Sequence, residues 1–219
     1  MRGQFTAVIF DLDGTLVDSY EPIAASLNSV REHFGLEAKS LDTVRREVGH
    51  GLEALIADNV GRDRVEEGVR IFRARYRRVF LAGTRLLDGV STTLSALREA
   101  GVPMAVTSNK PAYFTREIVE ALGLASCFRA IVGPEMVVRP KPDPEMVLMA
   151  VEALGRPKEE VLYVGDMTID IDTCRRAGIA VCIVPLGSDP RDRLVAAQPD
   201  FLVDRFEEIR RLVAPGASS

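Results

Sequence analysis

The stretch Thr6-Ala7-Val8-Ile9-Phe10-Asp11-Leu12-Asp13-Gly14-Thr15-Leu16-Val17-Asp18-Ser19 decides how the rest of the chain is read. Ala7 to Phe10 is a short apolar run without helical period, the pattern of a strand buried on both faces. It breaks off at Asp11-Leu12-Asp13-Gly14-Thr15. Alternate residues of a strand share a face, so Asp11 and Asp13 point the same way if the strand continues that far. Gly14 permits a turn and brings backbone N–H groups close to whatever lies there. Two carboxylates beside a glycine turn at the C-terminal end of a strand suit a hard cation and a phosphate. A plain acidic turn is the competing reading, but such a turn has no need of two acids on one face.

The whole chain narrows the field. Its 219 residues fit one large domain or two unequal ones, long enough to bury a real core. A content of 47% hydrophobic and 27% charged residues is that of an ordinary soluble protein. Net charge is −4 and no basic stripe carries interleaved aromatics, which disfavours a nucleic-acid partner. Cys127, Cys174 and Cys182 form neither a zinc pattern nor a disulfide framework, and read as small core residues in a reducing compartment. Met1 to Gln4 leaves no room for a signal peptide, and no apolar run reaches the ~20 residues of a membrane span. The expectation is a cytoplasmic protein with no membrane partner, a monomer or weak homodimer.

Beyond Val17 the period becomes helical. Ile23, Leu27, Val30 and Phe34 mark a first helix behind an N-cap at Asp18 or Ser19, with Gly35 closing it. Val44 and Val48 suggest a second, Leu52, Leu55 and Ile56 a third, and Val65 to Phe80 a longer fourth with arginines on its solvated faces. Nothing between Pro22 and Phe80 reads as a strand. From Leu86 onward helices and short apolar strands alternate: Met104–Val106, Ala130–Val132, Val161–Val164, Ala180–Val184 and a short Phe201–Val203. That alternation predicts an α/β protein with a doubly wound, mainly parallel sheet, and a helical insert. The insert is placed at residues 17–83 and the core at 1–16 and 84–219.

In such sheets ligands sit at the carboxyl ends of strands, and here polar clusters follow three strands and fill one helix-leading loop. Thr107-Ser108-Asn109 is either a helix cap or a phosphate cradle built from a hydroxyl and exposed N–H groups. Lys141, stiffened by flanking prolines in Arg139-Pro140-Lys141-Pro142-Asp143-Pro144, is a fixed cation suited to phosphate. Asp166 and Asp170, four apart, share a face of a first helical turn. Four acids gathered without a counter-ion repel one another and lose hydration. Mg²⁺ relieves that cost, since it favours a few carboxylates, waters and substrate phosphate.

DLDGT at the first strand end, Ser108-Asn109 at the second, Lys141 in RPKPDP and finally GDMTID resemble, in order, the four motifs of the haloacid dehalogenase superfamily. The resemblance runs from Ala7 to about Val184 and includes a helical cap inserted after the first motif. DGTLVDS, SNKP and YVGD are similar to its phosphoglycolate phosphatase branch, where Thr usually stands in place of Ser108. Either residue supplies the hydroxyl.

The resemblance implies a nucleophile at Asp11, which forms an aspartyl-phosphate. It implies a general acid and base at Asp13, protonated near neutral pH through crowding by other carboxylates. Mg²⁺ is held by the Asp11 carboxylate, the Asp13 backbone carbonyl and Asp166, with Asp170 outside them. Ser108, Lys141, Gly14, Thr15 and Asn109 cradle the phosphoryl oxygens. The cap excludes water and selects the substrate, with Gly49-His50-Gly51 as the loop that reaches the site. His50, Gly51 and Arg45 or Arg46 are the specificity candidates, against a plain inter-helix turn.

A phosphatase for a small phosphorylated metabolite or pyrophosphate follows. A sugar phosphomutase of the same superfamily, or an idle phosphometabolite-binding module on the same scaffold, is the alternative. A dehalogenase is disfavoured, because carbon–halogen displacement has no need of an acid at Asp13.

Overall fold

The computed structural model describes residues 3–214. Strand β1 (Ala7–Phe10) lies in the middle of a six-stranded sheet. Ala7 and Ile9 face one side, Val8 and Phe10 the other, and all four are fully buried. A short β2 (Val17–Asp18) leads into four helices: α1 (Tyr20–His33), α2 (Leu41–Glu47), α3 (Leu52–Val60) and α4 (Val65–Val79). The chain returns through β3 (Arg85–Leu86) and continues as α5 (Val90–Glu99), β4 (Met104–Thr107), α6 (Ala112–Ala121), β5 (Ala130–Val132) and α7 (Glu145–Leu154). It finishes with β6 (Val161–Gly165), α8 (Thr168–Ala177), β7 (Ala180–Ile183), α9 (Arg191–Ala196), β8 (Phe201–Leu202) and a 3-10 turn at Phe206–Arg211.

The sheet order is β5-β4-β1-β6-β7-β8, and every pairing in it is parallel. Chain order runs outward from β1 through β4 to β5, then crosses back to β6 on the other side. The crevice at this reversal lies beyond the C-terminal ends of β1, β4 and β6, where α/β sheets bind ligands. Leu94, Leu97, Ile118, Phe206 and Ile209 cover one sheet face, while Met146, Val147, Ile171, Cys174 and Leu194 cover the other. Cys174 and Cys182 are buried and Cys127 is half-buried, all three as free thiols.

The sequence pattern located the insert helices closely, but not the β2–β3 ribbon at its base. There Val17 pairs with Leu86 and Asp18 with Arg85 in antiparallel register. Two-residue strands are too short to display alternation. Ser19 stands at the N-cap position of α1 but makes no side-chain cap bond; its hydroxyl donates to Asp13 instead. Within the insert α1 packs along α4, and Phe72, Tyr76 and Phe80 of α4 form a stack with centroids 5.5 and 5.4 Å apart. Phe114 of α6 meets Tyr76 and Phe80 edge-on, each at 5.0 Å, so the insert docks on the core through aromatic contact. Arg77 of α4 also reaches Glu117 on the core, whereas Arg73 stays within the insert beside Glu53. Among the described residues no helix is long and apolar enough to cross a membrane.

Candidate active site

Asp11 and Asp13 follow β1, Ser108 to Lys110 follow β4, Lys141 sits in the loop after β5, and Asp166 and Asp170 follow β6. The parallel register brings these distant segments together. Lys141 Nζ donates to Asp11 Oδ1 at 2.7 Å, Asp170 Oδ1 at 2.8 Å and Tyr163 Oη at 2.8 Å. Tyr163 Oη in turn donates to Asp170 Oδ1 at 3.1 Å and accepts from Thr107 Oγ1. Asp170 Oδ2 accepts from the N–H groups of Asp166 and Met167, both at 3.2 Å.

One carboxylate oxygen from each of Asp11, Asp166 and Asp170 lies within 4.8 Å of the others, all buried. Burial pushes the Asp11 carboxyl up to about 7; Lys141 opposes that rise and Asp170 adds to it. Burial also drives Asp166 well above the carboxylate range, with Asp11 and Asp170 adding repulsion. Burial alone would lower the Lys141 ammonium, but Asp11 and Asp170 together hold it well above its ordinary value. One lysine among three buried acids leaves negative charge without compensation. A hard cation with oxygen ligands fits that donor set.

Three of the expected phosphate ligands make contacts within the protein. Thr15 Oγ1 donates to Asp166 Oδ1 at 2.8 Å, which makes it a support for that acid. Gly14 N donates to Val17 O, and a Cβ at Gly14 would lie 2.5 Å from Asp166 Oδ2, so this glycine permits a close approach to Asp166. Asn109 lines the cavity, but its amide is a clamp: Nδ2 donates to the carbonyls of Gly49 and Lys141, and Oδ1 accepts from Lys141 N. Ser108 Oγ accepts from Lys110 N at 3.2 Å and faces the cavity without capping α6, whose N-cap position is Pro111.

Asp13 is surrounded differently from the crowd of carboxylates expected. Lys110 Nζ donates to Asp13 Oδ1 at 2.5 Å, and Ser19 Oγ donates to the same oxygen. Burial works against the Lys110 ammonium, yet the Asp13 charge overrides it and raises Lys110 above its ordinary range. The motif's lysine is therefore a site residue that the sequence reading passed over, although it stands in the quoted Ser-Asn-Lys-Pro.

The insert contributes one wall of the cavity, which has a volume of about 90 Å³. Gly49 and Gly51 line it, but His50 is exposed and does not. Arg45 also points elsewhere: Nη2 donates to Leu186 O at 2.6 Å and the guanidinium lies 4.6 Å from the Tyr20 ring centre. The loop after β7 was missed as well. Ser188 N donates to Asp166 Oδ2 at 3.0 Å, and Asp189 Oδ2 accepts from Thr168 N and Oγ1 at the start of α8. Its signal was the Gly187-Ser188-Asp189 run behind a strand, the same type of polar cluster that marked the other strand ends.

A family model for haloacid dehalogenase-like hydrolases matches residues 8–184. The chain belongs to that family. It is 35% identical over 207 residues to a phosphoglycolate phosphatase of Aquifex aeolicus, covering 94% of this chain and 95% of the relative. It is 34% identical to an N-acetylmuramic acid 6-phosphate phosphatase of Pseudomonas aeruginosa, with 95% and 94% covered. A crystal structure from Haemophilus somnus, described as a predicted phosphoglycolate phosphatase, superposes with a TM-score of 0.87 at 29% identity, covering 94% and 96%. This chain is a hydrolase of the phosphatase type, with the parallel α/β core of the family.

Proposed function

We propose that the protein hydrolyses a small phosphate monoester, with 2-phosphoglycolate as the leading substrate, through an aspartyl-phosphate at Asp11. The observation that carries this reading is the meeting of Asp11, Asp13, Ser108 and Lys141 around one cavity. In the first step an Asp11 carboxylate oxygen bonds to phosphorus as the phosphorus–oxygen bond to the leaving group breaks. Asp13 gives its proton to the departing oxygen. In the second, Asp13 takes a proton from water as that water's oxygen bonds to phosphorus, which frees inorganic phosphate and restores Asp11. Asp13 must exchange its contact with Lys110 for a proton before it can act as an acid.

Lys141 and the Ser108 hydroxyl stabilise the charge that builds on the phosphoryl oxygens. Asp11, Asp166 and the Asp13 backbone carbonyl would hold Mg²⁺, and Asp170, already occupied by Lys141 and Tyr163, would lie outside them. When bound, Mg²⁺ neutralises phosphate charge and polarises the phosphoryl group.

Residues 17–83 act as a cap domain that excludes water, with the Asn109–Gly49 contact as a latch. The phosphatase-named relatives support hydrolysis over the phosphomutase alternative. The test is phosphate release from a panel of small esters and pyrophosphate, with Mg²⁺ and with EDTA. Metal-dependent release concentrated on one ester is expected; no release from any, with Mg²⁺ bound, overturns the reading.

A further inference from the structure

Asp166 is fully buried, and each of its carboxylate oxygens has a protein donor: Thr15 Oγ1 for Oδ1 and Ser188 N for Oδ2. The second donor sits in the loop of residues 184–190, between β7 and α9. This loop presses directly on the acid. A Cβ at Gly187 would lie 1.6 Å from Asp166 Oδ2, and a Cβ at Gly14 would lie 2.5 Å from the same oxygen and 2.8 Å from Gly187 Cα. The backbones pack here with no room for a side chain, so a displaced loop takes the Oδ2 donor with it.

One half of the loop is tied to the core, through Asp189 to Thr168 and Arg193. The half nearer β7 is tied to the insert. Arg45 Nη2, from α2, donates to Leu186 O, and Tyr20 Oη, at the start of α1, shares a hydrogen bond of 2.9 Å with Ser188 Oγ. The two insert residues also hold each other, since the Arg45 guanidinium lies over the buried Tyr20 ring. Neither residue lines the cavity. Their contacts run instead from two insert helices to the loop that holds Asp166.

We propose that Arg45 and Tyr20 are positioning residues for the divalent cation: they fix the 184–190 loop, the loop fixes Asp166, and docking of the insert thereby sets the affinity for Mg²⁺. The inference rests on the placement of Mg²⁺ at Asp166 given above and adds the device by which the insert acts on that site. A carboxylate held by fixed donors presents its free lone pairs in one orientation, and loss of such partners weakens metal binding by about 10- to 100-fold. Arg45 and Tyr20 act one contact further out, so the lower end of that range applies to them. The linkage is reciprocal: a cation bound at Asp166 favours the docked insert by the same factor with which docking favours the cation.

The test is a calorimetric titration of the full chain with Mg²⁺ alone, without substrate. Kd should rise about 10-fold in Arg45→Met and in Tyr20→Phe. Ser188→Ala should match Tyr20→Phe, and the Tyr20→Phe/Ser188→Ala double variant should be no worse than either single, because all three remove one and the same hydrogen bond. Arg77→Met is the control: its ion pair with Glu117 ties the insert to the core at α6 rather than at this loop, so Kd should stay at the wild-type value. In phosphate release, Arg45→Met should lose kcat most at limiting Mg²⁺, with KM for the ester unchanged. Wild-type Mg²⁺ affinity in Arg45→Met and Tyr20→Phe overturns the positioning role and leaves the phosphatase reading standing. An equal loss of affinity in Arg77→Met also overturns it, because any loosening of the insert would then suffice. A rise in KM for the ester with Kd for Mg²⁺ unchanged returns Arg45 to substrate selection. A wild type that binds no Mg²⁺ removes the metal placement itself, and the positioning role with it.

Discussion

Asp170 accepts four hydrogen bonds at the core side of the cavity, whereas among the described residues Tyr76 on the insert side has only the Lys110 ammonium beside it. The core wall is a closed network of charges, each held by residues from a different strand end. The insert wall is apolar side chains, two glycines and one phenol, that of Tyr76. A network whose members are already satisfied is rigid and preorganised, which suits chemistry performed identically on every substrate. A wall with little polarity of its own discriminates by shape and by the few polar groups it leaves open. On the proposed reading, reaction and selection reside on opposite sides of one small cavity.

The sharpest way to break this division is at the core side. Asp11→Asn should lower phosphate release by at least ~10³-fold for every ester alike, because it removes the nucleophile. The variant should fold normally, since it also removes one of the repelling buried acids. Substantial residual turnover, or a loss confined to one ester, would move the chemistry off Asp11. Lys141→Ala comes next. The expected loss in kcat is about 10²- to 10³-fold. Because Asp11 and Asp170 lose their common partner, unfolding free energy in the absence of metal should drop by about 3–5 kcal/mol, read by denaturant titration.

The latch between the two sides is a smaller target. Asn109→Ala deprives the Gly49 carbonyl and the Lys141 N–H of partners, which should cost about 1–3 kcal/mol in stability. KM should rise for all esters together, as a loosened insert admits water without altering selectivity. A change in selectivity would mean that Asn109 itself touches substrate.

Metal and pH sharpen the comparison further, because only the core side is charged. The Asp11 carboxyl stands at about 7 in the folded protein through burial, against an unfolded value of about 4. Folded protein therefore binds more protons than unfolded protein across that interval. The resulting stabilisation is complete below about pH 4 and is lost as pH rises through about 7. Melting with EDTA should thus show declining stability over that range. Mg²⁺ competes with those protons, so its stabilising increment should be larger near pH 8 than near pH 5. An increment independent of pH would argue against metal at these acids.

The same division explains what could be read in the sequence. Asp11, Asp13 and Asp166 announced themselves because each sits where an apolar strand gives way to polar residues, and strand ends in parallel sheets converge; Asp170 did so by standing four residues after Asp166, and Lys141 by its flanking prolines. Tyr163 did not, since its ring is one more apolar position in Val161–Val164 until the fold brings its hydroxyl to Lys141. Thr15 and Asn109 were identified as site residues, but side-chain direction is set by tertiary contacts, and both turned toward protein partners. Tyr76 was visible only as a helical core position, because nothing in a helical period tells whether a buried phenol finds a partner.

The smallest effect belongs to the residue whose chemistry looked most suggestive in the insert. His50 is the one ionisable side chain in Gly49-His50-Gly51, yet it faces solvent while the glycines on either side line the cavity. Gly49 has φ +134° and Gly51 φ +92°, conformations that other residues rarely adopt, and a Cβ at Gly49 would lie 2.4 Å from Met167 Cε. The loop therefore reaches the site through its backbone, with the Gly49 carbonyl bound to Asn109. His50→Ala should leave kcat/KM within about 2-fold for all esters, as expected of an exposed side chain. Gly49→Ala should weaken turnover more than His50→Ala, through strain in the latch. A larger effect at His50 than at Gly49 would mean that the imidazole swings inward with substrate, and selection on the insert side would then be electrostatic as well as steric.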